Sequence, residues 1–389
     1  MKKAIVIGGS NGIGLAISKK LIENGRYVFI LDICPPSNDD LDVDSYSYIE
    51  TNLMYLNIDL FKRLSEDCDI DTLFITAGIG RICNFEEVSL TEVDKLFKIN
   101  SLAPIKIINI FYDRICCEEK FYVGIMGSIA GLVSSPMFSV YSATKAAICR
   151  FVEGVNIELE ANGYENRILN VSPGSIKGTK FNGGENDLSL TDTLSQEILY
   201  NLYSGNTLYI PDYETVYKGV IDRYNNDAHK FGIESYAYKQ NSGRISVKSP
   251  IVVGYLSGTF DLFHIGHLNL IKRAKAECDY LIVGVHPDAS HKGKETIISF
   301  EERMAIVEAC QYVDKVVPSC SEDSDAWNLH HFHKLFVGSD YKGTERFIRY
   351  ERFFEDKNVK IVYFPYTQGI CSTQIRETLT AKEENKKRN

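Results

Sequence analysis

The chain opens with an unbroken apolar run, Ala4-Ile-Val-Ile7, that passes directly into Gly8-Gly-Ser-Asn-Gly-Ile-Gly14. A short run without polar alternation is the pattern of a parallel strand covered on both faces. A helical pattern follows through Ile17, Leu21 and Ile22 and stops at Asn24-Gly25, and Tyr27 to Leu31 is a second apolar run closing on Asp32. Strand, glycine turn, helix, strand is a βαβ unit, which commits the chain to a parallel sheet with helices packed on its faces. Gly8, Gly12 and Gly14 let the backbone of the turn, with Ser10, Asn11 and Ile13, approach a pyrophosphate. Asp32 falls 18 residues after Gly14, close to the ~20 at which an acid meets an adenosine ribose. Binding both ribose hydroxyls and repelling a 2′-phosphate, it favours NAD(H) over NADP(H).

The same logic recurs past the midpoint. The apolar run Ile251 to Leu256 leads into Ser257-Gly-Thr-Phe-Asp-Leu-Phe-His-Ile-Gly-His267, and a helix-like segment runs from Leu268 to Glu277. His264 and His267 are three apart and share one face of the helix's first turn. Free N–H groups and the helix dipole favour negative charge there. A bare HxxH describes two surface histidines equally well. The strand before it, the Thr259-Phe-Asp261 lead-in and the helix after it turn the reading toward phosphate chemistry on a nucleotide.

With 389 residues, two or three domains are expected. Hydrophobic residues make up 44% and charged residues 24%, enough for real cores in a soluble protein. The formal net charge of -9 argues against broad binding to nucleic acid or anionic membrane, so phosphate-binding groups must be local. Ten cysteines without a CxxC pair suggest reduced thiols in the cytoplasm, and no metal cage is visible. The apolar run at the N-terminus ends at Gly8, too short for a secretion signal, and no later run reaches membrane-spanning length.

The glycine spacing and the residues that follow it are similar to the short-chain dehydrogenase/reductase family over the first ~245 residues. Asn52-Leu53 stands where that family holds the adenine, and asparagine keeps an acceptor oxygen for it. Thr76-Ala77-Gly78 resembles the family's Asn-Ala-Gly turn, with threonine in place of asparagine. Asn100, Ser128 and Tyr141-Ser-Ala-Thr-Lys145 match its catalytic residues, and Pro173-Gly174 its segment over the nicotinamide. Tyrosine and lysine four apart stack on one helix face. A tyrosine with a pKa of about 10 needs a nearby cation to act near neutrality. By the resemblance Lys145 supplies that cation and holds the nicotinamide ribose, Ser128 holds the substrate oxygen, Tyr141 delivers the proton, and Asn100 links Lys145 to solvent. Arg81, Lys177 and Lys180 are expected near the substrate mouth, where they suit a phosphorylated substrate or serve only as solvated surface charges.

The second motif resembles the HxGH signature of the glycerol-3-phosphate cytidylyltransferase family, and the resemblance covers nearly all of 251–380. It implies that His264 and His267 act at the α-phosphate, with Gly258, Thr259, Phe260 and Asp261 around the nucleotide. Asp288 and Asp340 follow strand ends and gather in one crevice of an open parallel sheet. Lys292, Lys294 and Arg303 are expected to serve phosphates, and Ser372-Thr373 to hold phosphate oxygens at the start of the last helix. Mg²⁺ is implied by a CTP substrate. Gln311 and Tyr366 stand where the family has arginines, and Arg346 is the expected replacement, gripping the acceptor phosphate.

The expected fold is therefore α/β: two doubly wound parallel-sheet domains, a Rossmann-type reductase over 1–245 and a Rossmann-like nucleotidyltransferase over 251–380. Residues 246–250 form a linker and 381–389 a charged tail. Two active sites on one chain imply consecutive steps: a keto-sugar phosphate, ribulose 5-phosphate in the leading instance, is reduced and then activated with CTP to a CDP-polyol for a surface polymer. A glycerol phosphate isomer, a small phosphonate, ATP in place of CTP, or a sensing or scaffolding role for one domain stay open. The partners expected are small molecules, with no nucleic acid and no membrane, and the families imply a homo-oligomer.

Overall fold

The computed structural model describes residues 1–36, 41–179, 181, 186–241, 252–288 and 295–365. The chain divides into two compact units, Met1–Val247 and Lys248–Asn389. The expected linker and tail lie outside the described residues.

The first unit has seven strands: β1 (Lys3–Ile7), β2 (Tyr27–Asp32), β3 (Tyr46–Glu50), β4 (Ile70–Ile75), β5 (Tyr122–Met126), β6 (Ile168–Val171) and β7 (Leu208–Tyr209). They pair in parallel in the order β3-β2-β1-β4-β5-β6-β7. The unbroken apolar runs have their cause in the two cores. Ile5 and Ile7 of β1 pack into one cluster with Leu73, Ile75 and Val123, while Ala4 and Val6 pack into another with Val28, Ile30 and Phe74. β1 is thus covered on both faces, where a polar residue would lose its solvent, whereas the outer strands β3 and β7 stay partly exposed.

The second unit has five strands: β8 (Val253–Gly258), β9 (Tyr280–Val285), β10 (Lys315–Pro318), β11 (Lys334–Gly338) and β12 (Lys360–Phe364). They too pair in parallel, in the order β10-β9-β8-β11-β12. Tyr255 belongs to one core face and Leu256 to the other. β8 begins two residues later than the apolar run suggests, and its helix begins at Ile265 rather than Leu268, with His264 as the N-cap.

In both sheets the strand order reverses beside the first strand, between β1 and β4 and between β8 and β11. In such sheets ligands bind in the crevice at the carboxyl ends of the strands at that point. β8 and β9 stay paired from Val253 to Gly258, but β8 and β11 pair only at Gly254 and Tyr255, so the crevice opens early.

Arg303 differs from its expected role as a phosphate-reaching cation. It is fully buried in the helix Phe300–Glu308. Its Nε donates to Ile298 O (3.1 Å), Nη1 to Thr259 O (2.6 Å) and His286 O (2.7 Å), and Nη2 to Pro287 O (2.7 Å). These carbonyls follow β8 and β9, so the guanidinium ties the loops around the crevice together. Arg303→Met would take the donor from four carbonyls of the crevice loops and is expected to cost about 3 kcal/mol. The chain's single tryptophan, Trp327, lies in the second unit, so urea unfolding followed by its fluorescence reads this loss directly.

Candidate active sites

The first crevice is a cavity of about 990 Å³. Its floor is the glycine turn, where Gly8 (φ 83°) and Gly12 (φ 53°) take left-handed backbone that glycine adopts without strain. A Cβ on Gly14 would stand 2.0 Å from Gly8 O, so no side chain fits there. Thr76 Oγ1 lies 2.9 Å from Ile7 O and 3.0 Å from Gly8 O, so the threonine that replaces asparagine clamps this turn to β4. Ser10 is buried, and its hydroxyl has no hydrogen-bond partner among the described residues. A cradle without side chains and a buried orphan hydroxyl fit a bound pyrophosphate.

Asp32 lines the cavity at the end of β2 and accepts from Ser10 N (3.0 Å) and Ile33 N (2.7 Å), one bond to each oxygen. Each oxygen keeps a lone pair for a ribose hydroxyl. Asn52 and Leu53 also line it, but Asn52 Oδ1 already accepts from Met54 N (2.9 Å) and caps the turn Leu53–Tyr55. Gly12 N donates to Asn186 Oδ1 (3.1 Å), and Asn186 Nδ2 donates to Asn11 Oδ1 (3.0 Å). Asn186 thus occupies a donor at the helix N-terminus, and nothing in its local sequence announces this.

Ser128, Tyr141 and Lys145 line the other end, beside Ala77, Gly78, Pro173 and Gly174. Tyr141 and Lys145 share the helix Ser139–Ala161, with Nζ 5.8 Å from the phenol ring centroid. Lys145 Nζ donates to Met126 O (2.7 Å). Burial pushes the Lys145 ammonium down to about 8. Burial also pushes Tyr141 up to about 12, and a hydrogen bond with Ser128 pulls the other way. The chain therefore keeps Tyr141 protonated, as an acid must be, and leaves Lys145 close to losing its charge. Tyr141 also stacks on Phe138 at 4.1 Å and lies 5.5 Å from Phe181, which keeps its ring dry.

Asn100 sits in a π-helical turn, Lys98–Leu102, that continues the helix Leu90–Phe97. Its Nδ2 donates to Ile79 O (2.8 Å) and Thr144 Oγ1 (3.1 Å), and Oδ1 accepts from Ile79 N (2.9 Å). A Cβ on Gly78 would lie 3.4 Å from both Asn100 Oδ1 and Lys145 Nζ, so this glycine keeps them close. Pro173 O accepts from Ile129 N (3.0 Å), and the Tyr217 hydroxyl lies where a Cβ on Gly174 would be, another arrangement the sequence does not announce.

The cations expected at the substrate mouth are placed otherwise. Arg81 is held by Glu92 through Nε (2.7 Å) and Nη2 (2.9 Å), does not line the cavity, and is therefore withdrawn as a substrate contact. Lys177 is exposed and away from the lining, and Lys180 lies outside the described residues.

At the second crevice, His264 Nδ1 accepts from Gly266 N (3.1 Å), so a neutral ring carries its hydrogen on Nε2. Burial holds its pKa below the usual histidine value. The His267 ring stacks on it at 4.0 Å. The turn before them is strained, with Phe260 (φ 54°) and Leu262 (φ 49°) in the left-handed region. Phe260 is pinned by burial and packs edge-on 5.3 Å from His267. Asp261 is also buried, and its carboxylate accepts from Ile297 N (3.1 Å) and Ile298 N (3.0 Å), which makes it a backbone clamp. The Thr259 hydroxyl is buried with no hydrogen-bond partner among the described residues, an open contact for a ligand beside Gly258. Asp288 and Asp340 are exposed after β9 and β11.

Arg346 is largely engaged. Its Nε donates to the Tyr350 hydroxyl (2.8 Å), Nη2 donates to Ser321 O (2.7 Å), and Glu322 lies 3.3 Å away. Tyr350 also bonds Glu322 and accepts from Asp323 N (2.9 Å), and Asp323 accepts from Ser257 Oγ (3.0 Å) at the end of β8. This network joins Arg346 to the crevice, and only the structure reveals it. Lys292, Lys294, Tyr366, Ser372 and Thr373 lie outside the described residues. Among the described residues no cluster of three or more metal-ligating side chains occurs.

The fold and its two crevices define a two-part α/β enzyme, a dinucleotide-type reductase followed by an HxGH nucleotidyltransferase. The short chain dehydrogenase model matches residues 2–188, so the first unit carries a domain of that type, and the chain belongs to the cytidylyltransferase-like family, whose model matches 255–378. It is similar to the glycerol-3-phosphate cytidylyltransferase of Bacillus subtilis (strain 168), 34% identical over 126 residues, 31% of this chain and 92% of that protein. It is also similar to the NADPH-dependent 1-acyldihydroxyacetone phosphate reductase of Saccharomyces cerevisiae, 28% identical over 191 residues, 45% of this chain. That match spans only 61% of the reductase's own length. Over 92 residues, 22% of this chain, it is 49% identical to the ethanolamine-phosphate cytidylyltransferase of Dictyostelium discoideum and spans 26% of that protein.

Independent crevices predict separable losses. Tyr141→Phe should lower oxidation of the reduced nicotinamide cofactor about 10³-fold and leave pyrophosphate release intact, and His264→Ala should do the reverse by about 10²-fold. Because kcat/KM reports groups of the free enzyme, kcat/KM for the reduced nicotinamide cofactor should fall as pH rises through about 8, where Lys145 loses its proton. A stopped-flow pH series checks this.

Proposed function

We propose that the chain reduces a keto-sugar phosphate, ribulose 5-phosphate in the leading instance, to the polyol phosphate and then couples that product to CMP from CTP. The products are a CDP-polyol and pyrophosphate. The observation that carries the reading is the fusion itself: reduction of a keto phosphate yields an alcohol that still bears a phosphate monoester, and that monoester is the nucleophile a cytidylyltransferase needs.

NADH, when bound, supplies the hydride. Ser128 holds the carbonyl oxygen, Tyr141 gives it a proton, and Lys145 stabilises the phenolate left behind. Asn100 keeps Lys145 connected to solvent, so that Tyr141 is reprotonated. Asp32, with both oxygens anchored by backbone N–H groups and a lone pair left on each, supports NAD(H) over NADP(H). In the second unit an oxygen of the polyol phosphate attacks the α-phosphorus of CTP, and the bond to the β-phosphate breaks. The Nε2–H of His264, with His267 and the Thr259 hydroxyl, steadies the charge that develops. Mg²⁺ accompanies the triphosphate. We further place this chemistry in the cytoplasm, in a homo-oligomer that supplies a surface polymer with activated polyol. The described residues contain no helix long and apolar enough to cross a membrane.

A triose version is favoured by the names of two relatives, a glycerol-3-phosphate cytidylyltransferase and a 1-acyldihydroxyacetone phosphate reductase. In it dihydroxyacetone phosphate is reduced and a CDP-glycerol isomer forms. Incubating the chain with NADH, CTP and either ketose phosphate, with mass detection of the product, separates the versions. CDP-ribitol is expected, with no product when ATP replaces CTP. CDP-glycerol would transfer the assignment to the triose, and an absence of any CDP-polyol would end both. Asp32→Ser should lower kcat/KM for NADH at least tenfold relative to NADPH, read by initial rates with each cofactor.

A further inference from the structure

Ile176 and Thr179, which follow Pro173 and Gly174, line the first cavity together with the glycine turn. Thr179 is buried, and its Cβ lies 3.2 Å from where a Cβ on Gly12 would stand. Its neighbour Gly178 takes φ 73°, and a Cβ there would meet Asp187 O at 2.6 Å. Asp187 N donates to Gly178 O (3.2 Å), which closes this stretch on itself. Beside that closure, half-buried Asn186 sends its side chain to the start of the helix Gly12–Glu23. Asn11, the N-cap residue of this helix, forms no side-chain cap of its own. Asn186 Oδ1 takes that role by accepting from Gly12 N (3.1 Å), while its Nδ2 donates to Asn11 Oδ1 (3.0 Å). The helix is thus capped from 174 positions away, and both ends of the amide are used. The stretch then stays along the helix: Leu188 packs on the core cluster that contains Leu15 and Leu21, and Lys20 meets Asp192 at 2.7 Å. Asn186 itself does not line the cavity, whereas Asn11, Gly12, Ile13, Gly14 and Thr179 do. It acts through the residues that do.

We propose that Asn186 is a positioning residue for the bound dinucleotide: by tying the Thr179 stretch to the glycine turn, it sets how fast the cofactor leaves. The proposal rests on the reading of the first crevice as a dinucleotide site. A dinucleotide in this cavity is bounded by the glycine turn and by Thr179, and one neutral amide joins the two through a pair of hydrogen bonds. Such bonds are individually weak, which suits a fastening that has to open once in every turnover.

Stopped-flow displacement from the full-length chain, followed by the fluorescence of NADH and of NADPH, reads the release rate. Asn186→Ala should speed release about fivefold, the factor that one helix cap is worth, and leave the association rate unchanged. Adenosine, which carries no pyrophosphate, should bind wild type and variant equally in calorimetry. Asn186→Gln keeps the amide on a longer stem and should recover part of the slow release, which a loss of packing by itself would not reproduce. If Asn186→Ala releases cofactor as slowly as wild type, the proposal is overturned and the dinucleotide reading stands. If cofactor binds faster and tighter to Asn186→Ala, the side chain obstructs the site instead of fastening it, and the proposal is again overturned. Adenosine binding that weakens as much as cofactor binding would mark a general structural loss and sink the proposal. If wild type binds neither NADH nor NADPH, the dinucleotide reading falls and the proposal falls with it.

Discussion

In each sheet one strand has neighbours on both sides whose connections leave over opposite faces, and everything functional follows from that reversal. β1 and β8 are the strands concerned. A right-handed crossover can cover only one face at a time, so where the direction of winding changes no helix can fill the space above the strand ends. That space is the crevice. It receives the glycine turn after β1 and the Thr259-to-His267 turn after β8, and the residues of both turns must satisfy backbone that has no regular partner. Thr76 does this in the first unit. Asp261 and Arg303 do it in the second, where Phe260 and Leu262 hold left-handed backbone and strain of order 1–3 kcal/mol each is balanced by the buried clamp around them.

The same enclosure sets the chemistry. Desolvation moves Tyr141 and Lys145 in opposite directions, because it disfavours the charged form of each and those forms have opposite sign. The tyrosine becomes a poorer base and a secure proton donor. The lysine becomes a cation that needs company, and its backbone bond to Met126 cannot supply a counter-charge. A charged cofactor would restore what burial removes. The lysine's charge and the dinucleotide's affinity are therefore two views of one coupled equilibrium.

What was legible in the sequence was whatever depends on local spacing. The βαβ unit, the left-handed glycines, the tyrosine and lysine on one helix face and the histidine pair at a helix start all lie within a few residues of their partners. The periodic pattern of that helix starts only at Leu268 while the helix itself begins at Ile265, because a capping histidine leaves no periodic trace. The long-range pairings were illegible. Asn186 reaches Gly12 across 174 positions, Asp323 reaches Ser257 across 66, and Tyr217 lies over Gly174, and no propensity or period encodes such contacts.

Charged residues show most clearly why a motif is only half of a site. Read along the chain, Arg81, Arg303 and Arg346 are three cations available to phosphates. In the fold Arg81 is neutralised by Glu92 and Arg303 spends its donors on carbonyls, while Arg346 is shared with Glu322 and Tyr350. A guanidinium engaged in this way can hold a loop in place, but an incoming phosphate must displace an existing partner before it gains anything. Arg223, on the reductase cavity wall, stands differently: it lies against an aromatic ring and a helix carbonyl, and among the described residues no carboxylate forms an ion pair with it.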